Sequence, residues 1–168
     1  RATRDRLEGV HFRNELTEAD VKRIGSLVEI TGFFRPDEIK VAEELAGERI
    51  SKGAESGYHF ILAEQYGRLA GYICYGPIPC TVSAHDIYWV AVHPDFQGRG
   101  LGRRLLRDAE RSIADAGGTG IYVETASRAQ YASTRAFYEN RGFRVASVID
   151  DYYAPGDGKI TYVKNLSK

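Results

Sequence analysis

The segment Val92–Leu106, VHPDFQGRGLGRRLL, combines alternating glycines with a group of arginines. Gly98, Gly100 and Gly102 lie between a strand-like apolar run and a helix-like run. Glycines at a strand-to-helix turn let backbone N–H groups face outward and approach a ligand closely. A nest of such amides at a helix N-terminus favours phosphate oxygens. The segment therefore predicts a phosphate-binding turn.

Arginines surround the start of the predicted helix at positions Arg99, Arg103, Arg104 and Arg107. A helix N-terminus carries a partial positive charge, so arginines are unfavourable neighbours there unless an anion is bound. The alternative is a glycine-rich turn beside a solvated basic helix face, with Asp108 neutralising part of the charge. Both interpretations stay open on this segment alone.

Two better-known phosphate-binding loops do not fit the spacing. A P-loop needs a glycine, four residues and then Gly-Lys-Ser or Gly-Lys-Thr, and the chain has no such string. The Rossmann fingerprint needs a third glycine three residues after the second, where this chain has Leu105. The sequence therefore indicates a phosphate-binding turn of another class.

The composition restricts what this turn can serve. A chain of 168 residues is long enough for one domain with a full core, which we expect to span residues 1–168. Lys and Arg together number 23, as do Asp and Glu, so no net field attracts nucleic acid or a membrane. Cys74 and Cys80 are the only cysteines and do not form a metal-ligand set, so we expect no metal. The sequence shows no export leader and no apolar run of roughly 20 residues, which predicts a cytoplasmic protein.

Strand-like and helix-like segments follow each other along the chain in an order typical of an α/β fold. The predicted strands are 9–15, 58–65, 68–76, 85–92, 120–126, 143–150 and 159–165, and the predicted helices are 17–30, 36–50, 101–116 and 133–140. This order predicts a mixed sheet of about seven strands with helices on both faces. The strand–helix–strand unit over residues 86–125 predicts a parallel, right-handed pair. Ligand sites in such sheets lie beyond the carboxyl ends of strands, where the glycine turn is expected.

The longer string VAVHPDFQGRGLGRRLL resembles the acetyl-CoA-binding motif of the GNAT N-acetyltransferase superfamily, whose core is Gln/Arg-x-x-Gly-x-Gly/Ala. The string STRAFYENRGF is similar to the family's second signature, a helix that ends in Phe-Tyr-x-x-x-Gly-Phe. The resemblance covers residues 58–145. It implies a GNAT-like fold and the transfer of an acetyl group from acetyl-CoA to a primary amine.

The resemblance also implies where acetyl-CoA binds. The pyrophosphate would be held by the backbone amides of the turn, with arginines on the first helical turn adding charge. The pantetheine amides would pair with the preceding strand as an added strand does. A backbone N–H of that strand, which we assign to Val92, would polarise the thioester carbonyl. The implied cofactor residues are Val90, Ala91, Val92, Gln97, Gly98, Arg99, Gly100, Leu101, Gly102 and Arg103.

An acid and a base are implied as well. Tyr138 matches the family's tyrosine, and a phenol with a pKa of about 10 can return a proton to a departing thiolate. Packing beside Phe137 is the alternative role for that ring. Glu124, which we expect to be buried near the sheet opening, matches a glutamate base found in members that acetylate protein N-termini, and a structural hydrogen bond is its alternative role. Asp86 and His85 are rival bases that would act through water.

One departure from the family concerns the segment before Tyr138. Many members carry an asparagine that contacts the CoA arm seven residues before the tyrosine, and this chain has Tyr131 there. Ser127 and Ser133 are possible substitutes, so the cofactor contacts of this segment stay open.

The acceptor is predicted only by class. Phe33 and Phe34, between the first two helices, would supply apolar surface, while Asp151 and Tyr152 in the last strand pair would receive a cationic amine. A solvated turn is the alternative role for the latter pair. The candidate acceptors are a small amine, an amino acid, an aminoglycoside-like compound or a protein amine, with neither nucleic acid nor a membrane as a partner. A monomer and a homodimer are both compatible with the sequence.

Two other function classes stay open. A GNAT-like module can bind acyl-CoA as a sensor without turnover, against which Tyr138 and Glu124 argue. A nucleotide-binding protein can take ATP or NAD at the same turn. Neither cysteine has an identifiable catalytic setting, so the sequence favours direct attack by the amine over a cysteine-bound intermediate.

Overall fold

The computed structural model describes residues 6–166, which form seven strands and four α-helices. The strands are β1 (His11–Arg13), β2 (His59–Gln65), β3 (Arg68–Pro77), β4 (Ala84–Val92), β5 (Gly120–Ala126), β6 (Arg144–Ala154) and β7 (Asp157–Asn165). The helices are α1 (Glu18–Ile30), α2 (Pro36–Lys52), α3 (Leu101–Asp115) and α4 (Ala132–Glu139). Each predicted strand and helix is present, with ends shifted by a few residues. Every helix in this range is too short or too polar to cross a membrane.

The strands form one mixed sheet in the order β1-β2-β3-β4-β5-β7-β6. The pairs β1–β2, β2–β3, β5–β7 and β6–β7 are antiparallel. The pair β4–β5 is parallel, and its ladder runs from Ala84 opposite Gly120 to Ile87 opposite Val123. The predicted parallel pair is therefore confirmed, and so is the predicted α/β fold built on a seven-stranded mixed sheet.

The chain divides into two compact units, of which the first contains the glycine turn. This unit comprises the described residues up to Gly76 together with Trp89–Arg111. Apolar residues of α1 recur at helical spacing and are buried, so one face of this helix enters the core. The most buried aliphatic side chains of the unit are Ile24, Val28, Leu62, Ile73, Leu101, Leu105 and Leu106.

A fully buried carboxylate, Asp20, anchors the start of α1 in the first unit. It accepts hydrogen bonds from Arg13 at 2.6 and 2.7 Å and from the backbone N–H of Thr17 at 2.7 Å. Burial acts to raise the pKa of Asp20, but the hydrogen bonds from Arg13 and Thr17 outweigh it and lower the pKa to about 2. Asp20 is therefore charged and fully paired at neutral pH.

The second unit comprises Pro77–Tyr88 and the described residues from Ser112 onward. Its buried side chains include Ile113, Ile121, Val123, Tyr138, Phe143 and Tyr162. Side chains alternate along β5, so Val123 and Thr125 are buried while Glu124 between them is exposed.

The last strand pair ends in a tighter turn than the sequence predicts. The string YAPGDG reads as a loop, yet β6 continues to Ala154 and β7 begins at Asp157, which leaves Pro155 and Gly156 as the turn. Gly156 has a φ of 79°, which glycine adopts without strain. β6 is an edge strand of the sheet, as is β1 at the other end. All residues of β6 are exposed, and its register with β7 shifts twice.

Candidate functional site

The glycine turn of the first unit lies between β4 and α3. Residues Pro94–Phe96 make one 3-10 turn, after which the chain passes through Gly98 and Gly100 with φ values of 76° and 80°. Residues with side chains rarely adopt this left-handed conformation, so glycine is required at both positions. The space around Gly98 is open, because a Cβ built there would have no neighbour within 4 Å.

The backbone N–H groups of this turn point away from the protein's own acceptors. Within the described residues, no carbonyl or side chain accepts a hydrogen bond from the N–H groups of residues 98–103. The first helical bond comes from the N–H of Arg104, which donates to the Gly100 carbonyl at 3.0 Å. A helix start leaves such donors unpaired, and the first turn of α3 has no acidic residue to use them. The turn can therefore bind an anion such as a phosphate.

The arginines beside the turn fall into two groups. Arg104 donates a hydrogen bond to Asp108 at 2.8 Å, and Arg99 donates one to Gln65 at 3.4 Å. Arg103 is exposed at the start of α3. Arg104 thus fits the alternative role of a neutralised helix face, whereas Arg103 keeps its charge available for a phosphate.

The predicted pantetheine strand lies at the end of β4. Ala91 is buried, while Val90 and Val92 are partly exposed. These residues lie beyond the end of the β4–β5 ladder, whose last pair is Ile87 opposite Val123. This part of β4 can therefore offer backbone groups to an extended ligand.

The aromatic residues predicted for the acceptor have packing partners in the first unit. The rings of Phe34 and Trp89 lie 5.3 Å apart between centroids. Phe33 is partly buried as well and has contacts of its own. Phe34 therefore has at least a structural role.

Tyr138 lies on α4 in the second unit, where it is 4 % exposed. Its ring contacts Phe137, Phe143 and Tyr162, with centroids 5.2, 5.4 and 6.2 Å away. Burial raises the pKa of Tyr138 above its ordinary value, because the phenolate is poorly solvated there. The phenol is therefore protonated at neutral pH and packed among aromatic rings at the same time.

The two predicted carboxylates meet on one face of the sheet. Asp86 pairs with Tyr122 across the parallel ladder, and side chains alternate, so Asp86 and Glu124 point to the same side. Burial, with a smaller contribution from the charge of Glu124, raises the pKa of Asp86 to about 6. Asp86 thus changes charge close to neutral pH, as a general base should.

One prediction about the neighbours of Asp86 needs correction. Glu124 is not buried, because its side chain is 58 % exposed on the outward-facing position of β5. The Nδ1 atom of His85 is buried without a hydrogen-bond partner, and it would lie 2.8 Å from a Cβ placed on Gly118. This nitrogen of His85 is therefore packed against the backbone, while the residue as a whole is partly exposed, and its role as a base stays a prediction.

Lys159 was not among the residues predicted from the sequence, yet its side chain contacts Glu124 on this face. Its Nζ lies 3.6 Å from Oε1 of Glu124 and 4.3 Å from the centroid of the Tyr152 ring. Lys159 stands opposite Ala126 in the antiparallel β5–β7 ladder, which puts it diagonally across from Glu124. Only that long-range pairing reveals the contact, and no local motif indicates it.

Asp151 has a structural partner within the last strand pair. Its carboxylate accepts a hydrogen bond from the N–H of Gly156 at 2.7 Å, and its own φ is 55°. Asp151 therefore closes the β6–β7 turn, whereas the adjacent Tyr152 contacts Lys159.

The segment before α4 also has internal partners. The hydroxyl of Ser127 accepts a hydrogen bond from the N–H of Gly158 at 2.7 Å, and Arg128 lies 4.9 Å from the ring of Tyr131. Ser133 is exposed at the start of α4. Of the two serines suggested as substitutes for the family's asparagine, Ser133 is the one without a structural hydrogen bond among the described residues. Across residues 6–166, no group of three His, Cys, Asp or Glu side chains is arranged to hold a metal ion.

Comparisons with known proteins agree with this geometry. A crystal structure of a Desulfovibrio desulfuricans protein assigned to the GNAT family of acetyltransferases matches with a TM-score of 0.92, at 42 % identity over 94 % of this chain and 99 % of that one. The PaiA N-acetyltransferase of Thermoplasma acidophilum, solved in complex with coenzyme A, shares the fold with a TM-score of 0.71, at 18 % identity over 94 % of this chain and 99 % of that one.

Curated relatives match over a shorter region. The ribosomal protein bS18-alanine N-acetyltransferase of Salmonella typhimurium is 38 % identical over 72 residues, which is 43 % of this chain and 47 % of that protein. The chain spans about half the length of the curated relatives it matches. The model of the family described as "Acetyltransferase (GNAT) domain" matches residues 56–145, more than half of the chain. The resemblance carried by the two sequence motifs is therefore confirmed, and the chain belongs to the GNAT acetyltransferase family.

Proposed function

We propose that this protein moves an acetyl group from acetyl-CoA to the nitrogen of a primary amine by direct attack. The observation that carries the proposal is the run of N–H groups from residue 98 to residue 103, which have no acceptor among the described residues and stand at the start of α3. Phosphate oxygens suit such donors. Membership of the family supports the same choice of ligand.

The cofactor is proposed to bind along β4 and the turn that follows it. The pyrophosphate accepts hydrogen bonds from the amides of residues 98–103, and Arg103 adds a positive charge. The pantetheine amides pair with Val90–Val92, which lie beyond the β4–β5 ladder. The N–H of Val92 donates to the thioester carbonyl and stabilises the negative charge that develops on its oxygen.

The acceptor must lose a proton before it attacks. A primary ammonium has a pKa of about 10.4, so the neutral amine is the minor form at neutral pH. Asp86, with a pKa of about 6, takes the proton directly or through a water molecule, and the charge of Glu124 beside it favours the protonated acid. The C–N bond then forms as the C–S bond breaks.

Tyr138 is proposed to give its proton to the departing sulfur. Burial raises the pKa of Tyr138, so the phenol keeps its proton until the thiolate appears. As the amide forms, its nitrogen releases a second proton to solvent. Solvent then returns a proton to the Tyr138 phenolate and removes the proton held by Asp86, which completes the cycle. The proposed acceptor is a primary amine, and the α-amine of a protein is one candidate because the Salmonella relative is named for such a substrate.

A thiol-release assay with acetyl-CoA and a panel of primary amines tests the proposal. Transfer appears as amine-dependent release of CoA together with an acetylated product. Thermal shifts with CoA, ATP and NAD separate the rival classes, since a ligand at 100 times its Kd stabilises a protein by about 2.7 kcal/mol. Stabilisation by CoA with no transfer to any amine would indicate a sensor, and stabilisation by ATP or NAD alone would indicate a nucleotide-binding protein.

The Tyr138→Phe variant tests the assigned acid. We expect kcat to fall about 100-fold with CoA binding unchanged, because the ring and its aromatic contacts remain while the proton donor is lost. Tyr162→Phe is the matched control: it removes a hydroxyl from the same cluster, one that donates to Glu139 at 2.7 Å. Equal losses in the two variants would assign Tyr138 a packing role only.

A further inference from the structure

The ammonium group of Lys159 is held by two different partners in the second unit. Its Nζ lies 3.6 Å from Oε1 of Glu124 on β5 and 4.3 Å from the centroid of the Tyr152 ring on β6. The ring of Tyr153 stands edge-on against Tyr152, with centroids 5.0 Å apart. The three strands β5, β7 and β6 thus build a small receptor for a primary ammonium, made of a carboxylate and an aromatic face.

A carboxylate and a tyrosine ring are the groups that recognise an ammonium ion in water. The carboxylate supplies charge and accepts hydrogen bonds, and the ring face attracts a cation within about 6 Å of its centroid. The side chain of Lys159 ends in the same –CH₂–NH₃⁺ group that a primary amine acceptor carries at neutral pH. Lys159 therefore occupies this receptor as an acceptor would.

We propose that Glu124 and Tyr152 form the subsite for the acceptor's ammonium group, and that Lys159 fills this subsite in the free protein and is displaced when the acceptor binds. The inference rests on the proposed transfer to a primary amine, and it adds the place where that amine is received. It makes Lys159 a tethered competitor of the acceptor rather than a catalytic residue.

The contact with Glu124 is weak enough to be exchanged. Glu124 is more than half exposed, and the 3.6 Å separation is longer than a good charge-assisted hydrogen bond. The pair is unequal, because the Lys159 side chain is only 16 % exposed while water reaches the Glu124 carboxylate and competes for it. An ammonium from solution can therefore approach the subsite from the Glu124 side. Lys159 also has a flexible stem of four methylene groups, so its Nζ can leave while its backbone stays in β7.

The charges around the subsite favour the binding of an ammonium ion from solution. Asp86 and Glu124 bring two carboxylates to this face, and Lys159 brings one ammonium. Tyr153, which is neutral as a phenol, faces Glu124 and Asp157. The nearby guanidinium of Arg128 pairs with Asp157 at 3.6 Å. When both carboxylates of the pair are ionised, this face carries more negative than positive charge, so it attracts an acceptor ammonium that can exchange with Lys159 at Glu124.

Binding of ethylammonium chloride to the protein tests the inference without any turnover. The ¹⁵Nζ signals of the lysines are followed by NMR during the titration, with the Lys159 signal assigned through Lys159→Met. We expect the probe to shift the Lys159 signal and to leave that of Lys164, on the same strand, in place. An unchanged Lys159 signal at saturating probe would overturn the proposal.

Variants give a second, independent measurement. Lys159→Met should tighten ethylammonium binding up to about fivefold, as expected when the competing ammonium of one ion pair with a solvent-exposed carboxylate is removed. Lys164→Met is the matched control, because it removes the same charge from the same strand and should change the affinity much less. In a Glu124→Gln background the effect of Lys159→Met should disappear. Equal tightening by both lysine variants, or an effect that survives Glu124→Gln, would contradict a shared subsite.

The experiments distinguish a failure of the subsite from a failure of the proposed transferase activity. Failure of thiol release with ethylammonium binding intact would reject the transferase activity and keep the subsite. Amine-dependent thiol release with an unmoved Lys159 signal would keep the activity and reject the subsite.

Discussion

Each of the two units contains an aspartate with a strongly shifted pKa, and the two pKa values are shifted in opposite directions. In the first unit, Asp20 is fully buried among donors from Arg13 and Thr17, which lower its pKa to about 2. In the second unit, Asp86 is half-buried beside another carboxylate, and its pKa rises to about 6. A paired carboxylate holds a fold together, whereas a desolvated carboxylate beside a like charge is ready to accept a proton. The difference agrees with the structural role of Asp20 and with the role of base proposed for Asp86.

The same contrast applies to how each unit offers a site. The first unit offers backbone N–H groups at residues 98–103, fixed by two glycines in the left-handed conformation. The second unit offers side chains from different strands, namely Asp86, Glu124, Lys159 and Tyr152. Backbone donors suit a ligand whose chemistry is constant, and side chains suit the variable partner of the reaction.

The largest expected effect is that of Asp20→Asn on stability. Removing the charge takes the buried partner from Arg13 and Arg23, which keep only the partly exposed Glu64, so we expect the free energy of unfolding to fall by roughly 3 kcal/mol. The pKa of Asp20 is lowered on folding, so its contribution is present above its unfolded pKa and is lost as the pH falls towards 2. Urea unfolding of the wild type and the variant at pH 7 and at pH 3 measures the loss of stability and its dependence on pH. Asp37→Asn, in an exposed pair with Arg35, is the control and should change stability little.

Asp86→Asn should reduce activity strongly without the loss of stability expected for Asp20→Asn. We expect the transfer rate at pH 7 to fall about 100-fold, because the proton acceptor is lost, while CoA binding persists. The pKa of Asp86 is raised on folding, so the wild type loses stability as the pH rises through about 6, and the asparagine variant should not. Steady-state kinetics check the expected loss of rate, and urea unfolding between pH 4 and pH 8 checks the expected change in stability. A variant that is destabilised at pH 7 and fully active would place Asp86 with Asp20 as a structural residue.

Gly98→Ala tests whether the first unit works through its backbone. A side chain at φ 76° costs about 1–2 kcal/mol of strain, and relief of that strain reorients the turn's N–H groups. We expect CoA affinity to fall about tenfold by calorimetric titration. Gly117→Ala, at φ 85° and also without a neighbour within 4 Å, carries the same strain at the other end of α3 and should leave CoA affinity unchanged.

The smallest expected effect is a shift in the pH profile. In the wild type the rate should rise with pH and level off above an apparent pKa of about 6, set by Asp86. Glu124→Gln removes a negative charge beside Asp86, so the midpoint should move to lower pH, by less than one pH unit. Rates measured from pH 5 to pH 8 would show it. A midpoint that moves upward, or does not move, would argue against coupling between the two carboxylates.

Local patterns were sufficient to predict the elements and the turn. Alternating glycines, the preceding apolar strand and the following helical stripe all act over a few residues, so Gly98 and Gly100 were recognised without a structure. The parallel pair β4–β5 followed from the helix between its strands. Which face of the sheet a strand residue occupies is harder to predict. The exposure of Glu124 was missed because an isolated glutamate does not reveal whether its face is buried.

Contacts made by antiparallel pairing could not be predicted in this way. Lys159 meets Glu124 only because β7 inserts between β5 and β6, an order that departs from the order along the chain. Asp151 was assigned to the acceptor by its charge, yet it accepts the N–H of Gly156 in a turn shorter than its sequence indicates. Register and strand order are tertiary properties, and they decide what each of these side chains touches.

The edge strand β6 affects how the protein associates with other molecules. Edge strands with apolar side chains tend to recruit strands from other molecules, and β6 exposes Val148, Ile149 and Tyr152. Two features of β6 oppose such pairing: the consecutive charges of Asp150 and Asp151, and the two shifts in its register with β7. The hairpin that carries Tyr152 therefore also affects self-association. Substitutions of Tyr152 made to alter specificity are expected to change how readily the protein self-associates.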